Sequence, residues 1–480
     1  MPRRHRTLPL LVVLPFIACT KGAAPPPSGM SDSDAGNPSA EELPGNTDQP
    51  SLDAGSRDAG ARDAGVADAG ARDAGTPDAG TDGDAGVPPL EDGGVVRPPP
   101  RSKPEACASI FDDTTVQTFE VTVAPEEWAA LQDEHTHVQA RQDAGVPLEP
   151  YHPVLSFRHG VRETTRGVMI RLRGNPTWWT QQQKMQLQVS FNETDKEGRF
   201  RGLRKIVLDS GHYNVTYLRD RLAMSVFRDL GLPAPCVNHA RLMVNGQYYG
   251  LFAHVEKVDR EFLERNFDDP DGNLYKKGEE LKTNEDENPD TSRSDLFWAT
   301  HSVNAMEALG DLDQWVRMWA VEALIPNGDG YWAGGWNFYL YDHPEKGFLY
   351  VPWDIDMSFD SVAPDADPLT WHKENERFNG RPHVEAVLAD PVWRKRYVDH
   401  VARARKAFQP DVLQARIDRW AAQIEEAARA DTLAPWTFEQ HRRAVQRLRN
   451  FVEVRASYID TWVECHRHAG DGGVPCAPAP

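Results

Sequence analysis

Cysteine is scarce in this chain and never closely paired. The 480 residues hold five Cys, and the lack of any C-x-x-C pair argues against a zinc ribbon or finger. Basic charge is in deficit: 53 Lys and Arg stand against 73 Asp and Glu, a net of −20. That acidity, which persists past the N-terminal tract, argues against nucleic acid as a partner. Long apolar runs are missing too. The one run near the start, Leu8 to Ala18, is too short to span a bilayer comfortably.

What is present at the start has the form of an export signal. Arg3, Arg4 and Arg6 precede that apolar run, and Phe16-Ile17-Ala18-Cys19 closes it; such a segment is excluded from the fold. The tetrapeptide resembles a bacterial lipobox, with Phe16 where Leu is usual, so residues 1–19 read as a lipoprotein signal and Cys19 as the lipidated residue. The protein is then expected to be exported and held by its N-terminal lipid at a membrane, on the bacterial outer membrane or cell surface. Residues 20–106 read as a tether. Within it, 31–93 repeat DAG at five-residue intervals and hold 15 Asp and Glu against 3 Arg. Such a tract cannot bury enough apolar surface to offset chain entropy, and its period of five differs from the nine of calcium-binding RTX repeats. With Cys19 lipidated, Cys107, Cys236, Cys465 and Cys476 remain, enough for two disulfides in any of three connectivities. Cys465 with Cys476 is the most local.

The folding part begins near Cys107. From Phe119 to Val255 short strand-like runs dominate, with Asn245-Gly246 as a hairpin turn. One helix interrupts them, from Thr216 as N-cap to Gly231 as its stop. After Asp259 helices take over: Arg260 to Asn266, Asp311 to Leu324, Pro391 to Phe408, Pro410 to Ala430 and Trp436 to Cys465, with Asp390-Pro391 as N-cap and first helical residue. The pattern predicts an α+β fold with a β-rich half at 107–259 and a mainly helical half at 260–480, meeting at a cleft.

One segment carries the chemistry. In LIPNGDGYWAGGWNFYLYDHPEKGFLYVPWDIDMSFD, Asp329 sits in a glycine-rich loop, Asn337 opens a strand, and Asp354 and Asp356 close the next. Acidic residues are poor strand formers. Alternation places both Asp on one face with Tyr350 and Pro352, opposite Leu349, Val351, Trp353 and Ile355, where two carboxylates can share a hard divalent cation. A solvated strand end is the bland reading of each residue alone. Upstream, RLRGNPTWWTQQQKMQLQVSF predicts strand, loop and strand, with Lys184, Gln186 and Gln188 on one face. Phosphoryl transfer uses a Lys on the phosphates, carboxylates and an Asn on metal, and an Asp near the nucleophile; this chain offers each.

The motifs RLRGN, LDSGHYNVTYLRDRLA, LMVNGQYYGLFAHVEKVDREFL, GNLYK, NGD, NFYLY and VPWDIDMSF, in that order from about Phe119 to Phe359, resemble the spore-coat CotH family of atypical secreted protein kinases. The resemblance implies an atypical protein-kinase-like fold with a β-rich N-lobe and a mainly helical C-lobe, its catalytic and metal hairpin at 329–356. It further implies ATP with Mg²⁺ (or Mn²⁺) as cofactors and an exported protein substrate phosphorylated on Ser or Thr. Carried across, Lys184 is expected on the phosphates and among the catalytic residues, Arg173 in the cofactor site, Asp329 as the catalytic Asp, and Asn337, Asp354 and Asp356 on metal. Glu256 reads equally as a hinge contact to the nucleotide or a structural ion pair, and Asp220 is expected to pair with Lys184. Three departures stand out: Asn337 follows Asp329 by eight residues, not five; there is no DFG; and bulky Trp178 and Trp179 follow Gly174. A non-catalytic envelope scaffold and a sugar-nucleotide transferase using Asp354 and Asp356 on Mn²⁺ are the competing readings.

Overall fold

The structure is a computed structural model that describes residues 107–174, 176–374 and 381–468. The signal with Cys19, the tether and Cys476 lie outside the described residues.

Among the described residues, nine strands build the first half: β1 Gln117–Thr122, β2 His152–Pro153, β3 Ser156–His159, β4 Arg162–Thr164, β5 Met169–Leu172, β6 Leu187–Ser190, β7 Lys205–Asp209, β8 Val237–Val244 and β9 Gln247–Val255. They form one sheet in the order β2-β5-β6-β7-β9-β8-β1-β3-β4, antiparallel except where β1 runs parallel to β8. The β8–β9 turn is the expected Asn245-Gly246, with φ of 49° and 78°, the pair of positive values that a tight two-residue hairpin demands. The sheet is buried on both faces because its strands alternate between two cores. Ile206 and Leu208 of β7 and Phe252 of β9 join one core with Phe119, Phe157 and Val189. Val207, Leu251 and Ala253 join the other, with Leu222 and Val226. Helices α1 Pro125–Thr136 and α2 Val138–Asp143 accompany the strands.

Leu222 and Val226 belong to α3, Arg219–Asp229. This helix starts later than the Thr216 cap predicts, because Tyr217 has φ of 58° and a left-handed residue cannot continue a right-handed turn. Thr216 Oγ1 instead accepts the Leu218 N–H at 3.0 Å. A disulfide joins Cys107 to Cys236 across 129 residues; closing so long a loop is worth about 4–5 kcal/mol in the chain-entropy account. Cys465 is also disulfide-bonded.

The second half is mainly helical. Its helices are α4 Arg260–Asn266, α5 Ser292–Ala299, α6 Val303–Leu309, α7 Leu312–Leu324, α8 Tyr331–Gly334, α9 Pro382–Ala389, α10 Pro391–Ala407, α11 Pro410–Ala430 and α12 Phe438–His468. A small sheet sits among them, ordered β11-β10-β12-β13, from β10 Asn273–Lys276, β11 Glu280–Leu281, β12 Phe338–His343 and β13 Gly347–Pro352. β13 is an edge strand, and α7 covers it. The buried Gln314 side chain donates to Tyr350 O and accepts from Tyr350 N, both at 2.8 Å, while Trp315 Nε1 donates to Phe348 O at 2.8 Å. These bonds satisfy backbone groups that an open edge leaves unpaired, and they fix the hairpin that carries the acidic residues. Among the described residues, no helix is long and apolar enough to cross a membrane.

Candidate active site

A cleft of about 910 Å³ opens between the large sheet and the β12–β13 hairpin. On the sheet side it is lined by Arg173, Gln186, Gln188, Asp209 and Lys257, with Lys276 from the small sheet; opposite stand Asp329, Asn337, Asp354 and Asp356. Gly174 turns the chain after β5 with φ of 93°, and Arg173 beside it reaches Asp209 Oδ2 at 3.1 Å and Gln186 Oε1 at 3.3 Å.

The Asp329 loop is built on Asn327. Its Oδ1 accepts the Asp329 N–H at 3.2 Å and its carbonyl accepts the Gly330 N–H at 3.1 Å. Position 330 admits only glycine without rearrangement, since a Cβ there would lie 2.9 Å from Asn327 Nδ2. Asn337 then donates from Nδ2 to Asp329 Oδ2 at 2.8 Å. The eight-residue spacing still brings the two together because the single turn α8 takes up the intervening chain.

Asn337 and Asp354 have φ of 52° and 51°, and the Trp353 N–H donates to Asn337 O at 3.2 Å between them. Two left-handed non-glycine residues across one hairpin end cost conformational energy, as is common where function fixes a side chain. They also correct the alternation argument. β13 stops at Pro352, so strand periodicity never reaches Asp354 and Asp356; the turn at Asp354 brings both into the cleft. Nor is there a solvated face, because Leu349, Tyr350 and Val351 are all buried.

The cleft crowds acids against acids and cations against cations. Burial, then Asp209, pushes the Asp354 carboxyl up to about 6. Burial, then Asp354, Asp220 and Asp209, pushes Asp356 well above the usual carboxylate range, and Asp220 rises through burial, Asp209 and Asp354. On the cationic side, burial followed by Arg173 and Lys276 pulls the Lys257 ammonium down to about 7. Like charges destabilise one another within each group. Among the described residues no three His, Cys, Asp or Glu converge as a cation cage. The donor set of Asp354, Asp356 and Asn337 nevertheless fits Mg²⁺, which is usually bound by one or two carboxylates together with water and substrate phosphates. The Asn337 amide can serve twice, since donation from Nδ2 to Asp329 leaves its carbonyl oxygen to face a cation.

Lys184 lies elsewhere. It occupies a bend before β6, where the alternation of Gln186 and Gln188 no longer applies, and it is not among the residues lining the cleft. Its ammonium is buried, with Asp431 Oδ2 at 2.7 Å, Leu251 O at 2.6 Å and the Tyr217 hydroxyl at 3.1 Å. Asp220 therefore does not pair with Lys184; it accepts from Asn214 Nδ2 at 3.3 Å and faces the other acids. Glu256 makes the structural ion pair of its two readings, accepting from Arg265 Nε at 2.9 Å and from Cys236 N at 2.8 Å. Sequence reasoning missed Asp209, Lys257 and Lys276. Asp209 carries the signal that marked Asp354, an acid ending a strand; Lys257 and Lys276 close HVEK and GNLYK.

A family model described as CotH kinase protein matches residues 170–459. Inner spore coat protein H of Bacillus subtilis (strain 168) is 25% identical over 189 residues, 33% of this chain and 51% of that protein. The chain thus spans about half the length of that relative. Among solved structures, the Helicobacter pylori proinflammatory kinase CtkA aligns at 11% identity over 61% of this chain and 93% of its own, with a TM-score of 0.31. Since the family model spans more than half of its residues, this chain belongs to the CotH kinase protein family.

Proposed function

We propose that the cleft transfers the γ-phosphoryl group of ATP, with Mg²⁺ or Mn²⁺, to Ser or Thr hydroxyls of exported proteins. The observation that carries this reading is the Asp329–Asn337 pair facing Asp354 and Asp356 in one cleft that also holds Arg173, Lys257 and Lys276. Asp329 accepts the proton of the incoming hydroxyl, and Asn337 fixes the carboxylate that receives it. The hydroxyl oxygen bonds to the γ-phosphorus as the bond to the ADP oxygen breaks. Asp354, Asp356 and Asn337 would hold the divalent cation, which, when bound, offsets the charge on the phosphates. The N-terminal reading supplies the setting: acylation of Cys19 would anchor the protein to a membrane, with residues 20–106 as the tether between the lipid and the folded part.

The test incubates the mature protein with labelled ATP and Mg²⁺ or Mn²⁺, and looks for phosphoserine or phosphothreonine on the protein and on exported proteins from the same cell. Metal-dependent label supports the reading. No label and no thermal stabilisation by ATP would favour a scaffold, while stabilisation by UDP- or GDP-sugars with Mn²⁺ would favour a glycosyl transferase.

A further inference from the structure

Two concentrations of positive charge stand out, and they differ in kind. In the groove between α3 and α11, Arg221, Arg228, Arg416 and Arg419 are each met by the protein itself: His239 and Asp113 O take Arg221, Pro235 O takes Arg228, Asp229 takes Arg416 and Asp113 takes Arg419. That groove needs no ligand to account for its charge. In the cleft, Arg173 is bonded to Asp209 and Gln186. Among the described residues, neither the Lys257 nor the Lys276 ammonium has a hydrogen-bond or ion-pair partner, although the Lys276 carbonyl accepts the Glu279 N–H at 3.1 Å. Both are half-buried.

These three cations come from separate elements and converge beside the acidic hairpin. Arg173 follows β5, Lys257 follows β9, and Lys276 ends β10 opposite Tyr339 of β12. The Arg173 guanidinium carbon lies 5.9 Å from the centre of the Trp353 ring and the Lys257 ammonium 5.8 Å from it, and Trp353 immediately precedes Asp354. Arg173 has Asp209 as its counter-charge, but Lys257 and Lys276, with no ion pair in a partly desolvated cleft, are costly there unless a ligand neutralises them. A ligand with several negative charges, bound with a divalent cation, would answer the cationic and the carboxylate sides together.

We infer that Arg173, Lys257 and Lys276 grip the phosphates, and that Lys184, held by Asp431, does not touch them. The inference rests on the ATP reading for the nucleotide part of the ligand, but the cations themselves select for a polyphosphate. Lys257 and Lys276 act as point charges on phosphate oxygens, while Arg173 is already oriented by Asp209.

Calorimetry on the mature chain with Mg-ATP and with magnesium tripolyphosphate tests this. Lys257→Met and Lys276→Met should each weaken both ligands about ten-fold or more without lowering the melting temperature, and Lys257→Arg should restore binding. Lys184→Met should lower the melting temperature yet bind both ligands like the parent when assayed well below it. Parental affinity in both Lys257→Met and Lys276→Met, or loss of binding in folded Lys184→Met, overturns the inference and leaves the ATP reading standing. Binding of tripolyphosphate without ATP, weakened by the two variants, upholds the cations and removes the ATP reading. Binding of neither ligand by the parent removes both.

Discussion

The side-chain amide of Asn337 donates to the Asp329 carboxylate at 2.8 Å, joining a glycine-rich loop to the first residue before β12. The same hairpin ends in Asp354, whose positive φ turns it into the cleft beside them. Under the proposed function the two acids have separable tasks. Asp329→Asn should leave metal-dependent ATP binding intact while phosphoryl transfer falls by roughly 10² to 10⁴, the range of a general base. Asp354→Asn should keep the fold and lose metal-dependent binding, because it removes charge with little change of shape. Calorimetry and a transfer assay on each variant check this. If both bind and transfer like the parent, the hairpin acids have no part in the chemistry.

Lys184 and Asp431 form a buried ion pair linking the strand side of the protein to the end of α11. Asp431 Oδ2 also accepts from the Leu251 N–H at 3.0 Å and from the Tyr217 hydroxyl at 3.1 Å. Removing one partner strands the other charge in a buried site, so Lys184→Met or Asp431→Leu should each cost about 3–5 kcal/mol. The double variant should cost clearly less than the two together, since no lone charge remains. Urea denaturation of the four proteins measures the coupling; additive losses would mean the pair does not act as a unit.

Local chemistry was readable and long-range chemistry was not. Asp390 caps α10 as its Asp-Pro signature predicts, accepting from Val392 N at 2.9 Å and Trp393 N at 3.0 Å. α4 and α11 also keep the boundaries given by their flanking residues. Each of these signals acts within a few residues. Tyr217 defeated the Thr216 cap because nothing in a Thr-Tyr-Leu run announces a left-handed residue. The Lys184 partner was beyond reach for another reason: Asp431 lies 247 residues away, and no spacing rule connects them. In the site, the acids were legible as residues in unlikely places. Their geometry was not, because it comes from positive φ at Asn337 and Asp354 and not from strand alternation.

The N-terminal proposal has its own test. Cys19→Ser should release the protein from membranes and leave the melting temperature of the folded part unchanged, since one acylated residue carries the attachment. Fractionation of cells expressing each form is the measurement. Membrane association that persists in the variant counts against the lipid anchor.

Glu322 supplies a pH signature that belongs to the fold beneath the Asp329 loop. It lies on α7 at 3% exposure, and burial pushes its carboxyl up to about 8 from an ordinary 4.5, against a smaller opposing effect of the Trp332 N–H. Its Oε2 has no hydrogen-bond partner among the described residues, so an ionised form would be poorly compensated. Because the folded value is the higher one, the group's contribution to stability is complete below pH 4.5 and is lost as pH rises through about 8. Over that interval the unfolded chain releases the proton and the folded chain keeps it. Glu322→Gln keeps the shape and cannot ionise, so its stability should fall less between pH 5 and pH 8, with a gain over the parent at pH 8 on the order of a few kcal/mol. Chemical denaturation of parent and variant at pH 5, 6.5 and 8 reads the difference directly. Parallel curves would show that Glu322 ionises in the folded protein as freely as in the unfolded chain.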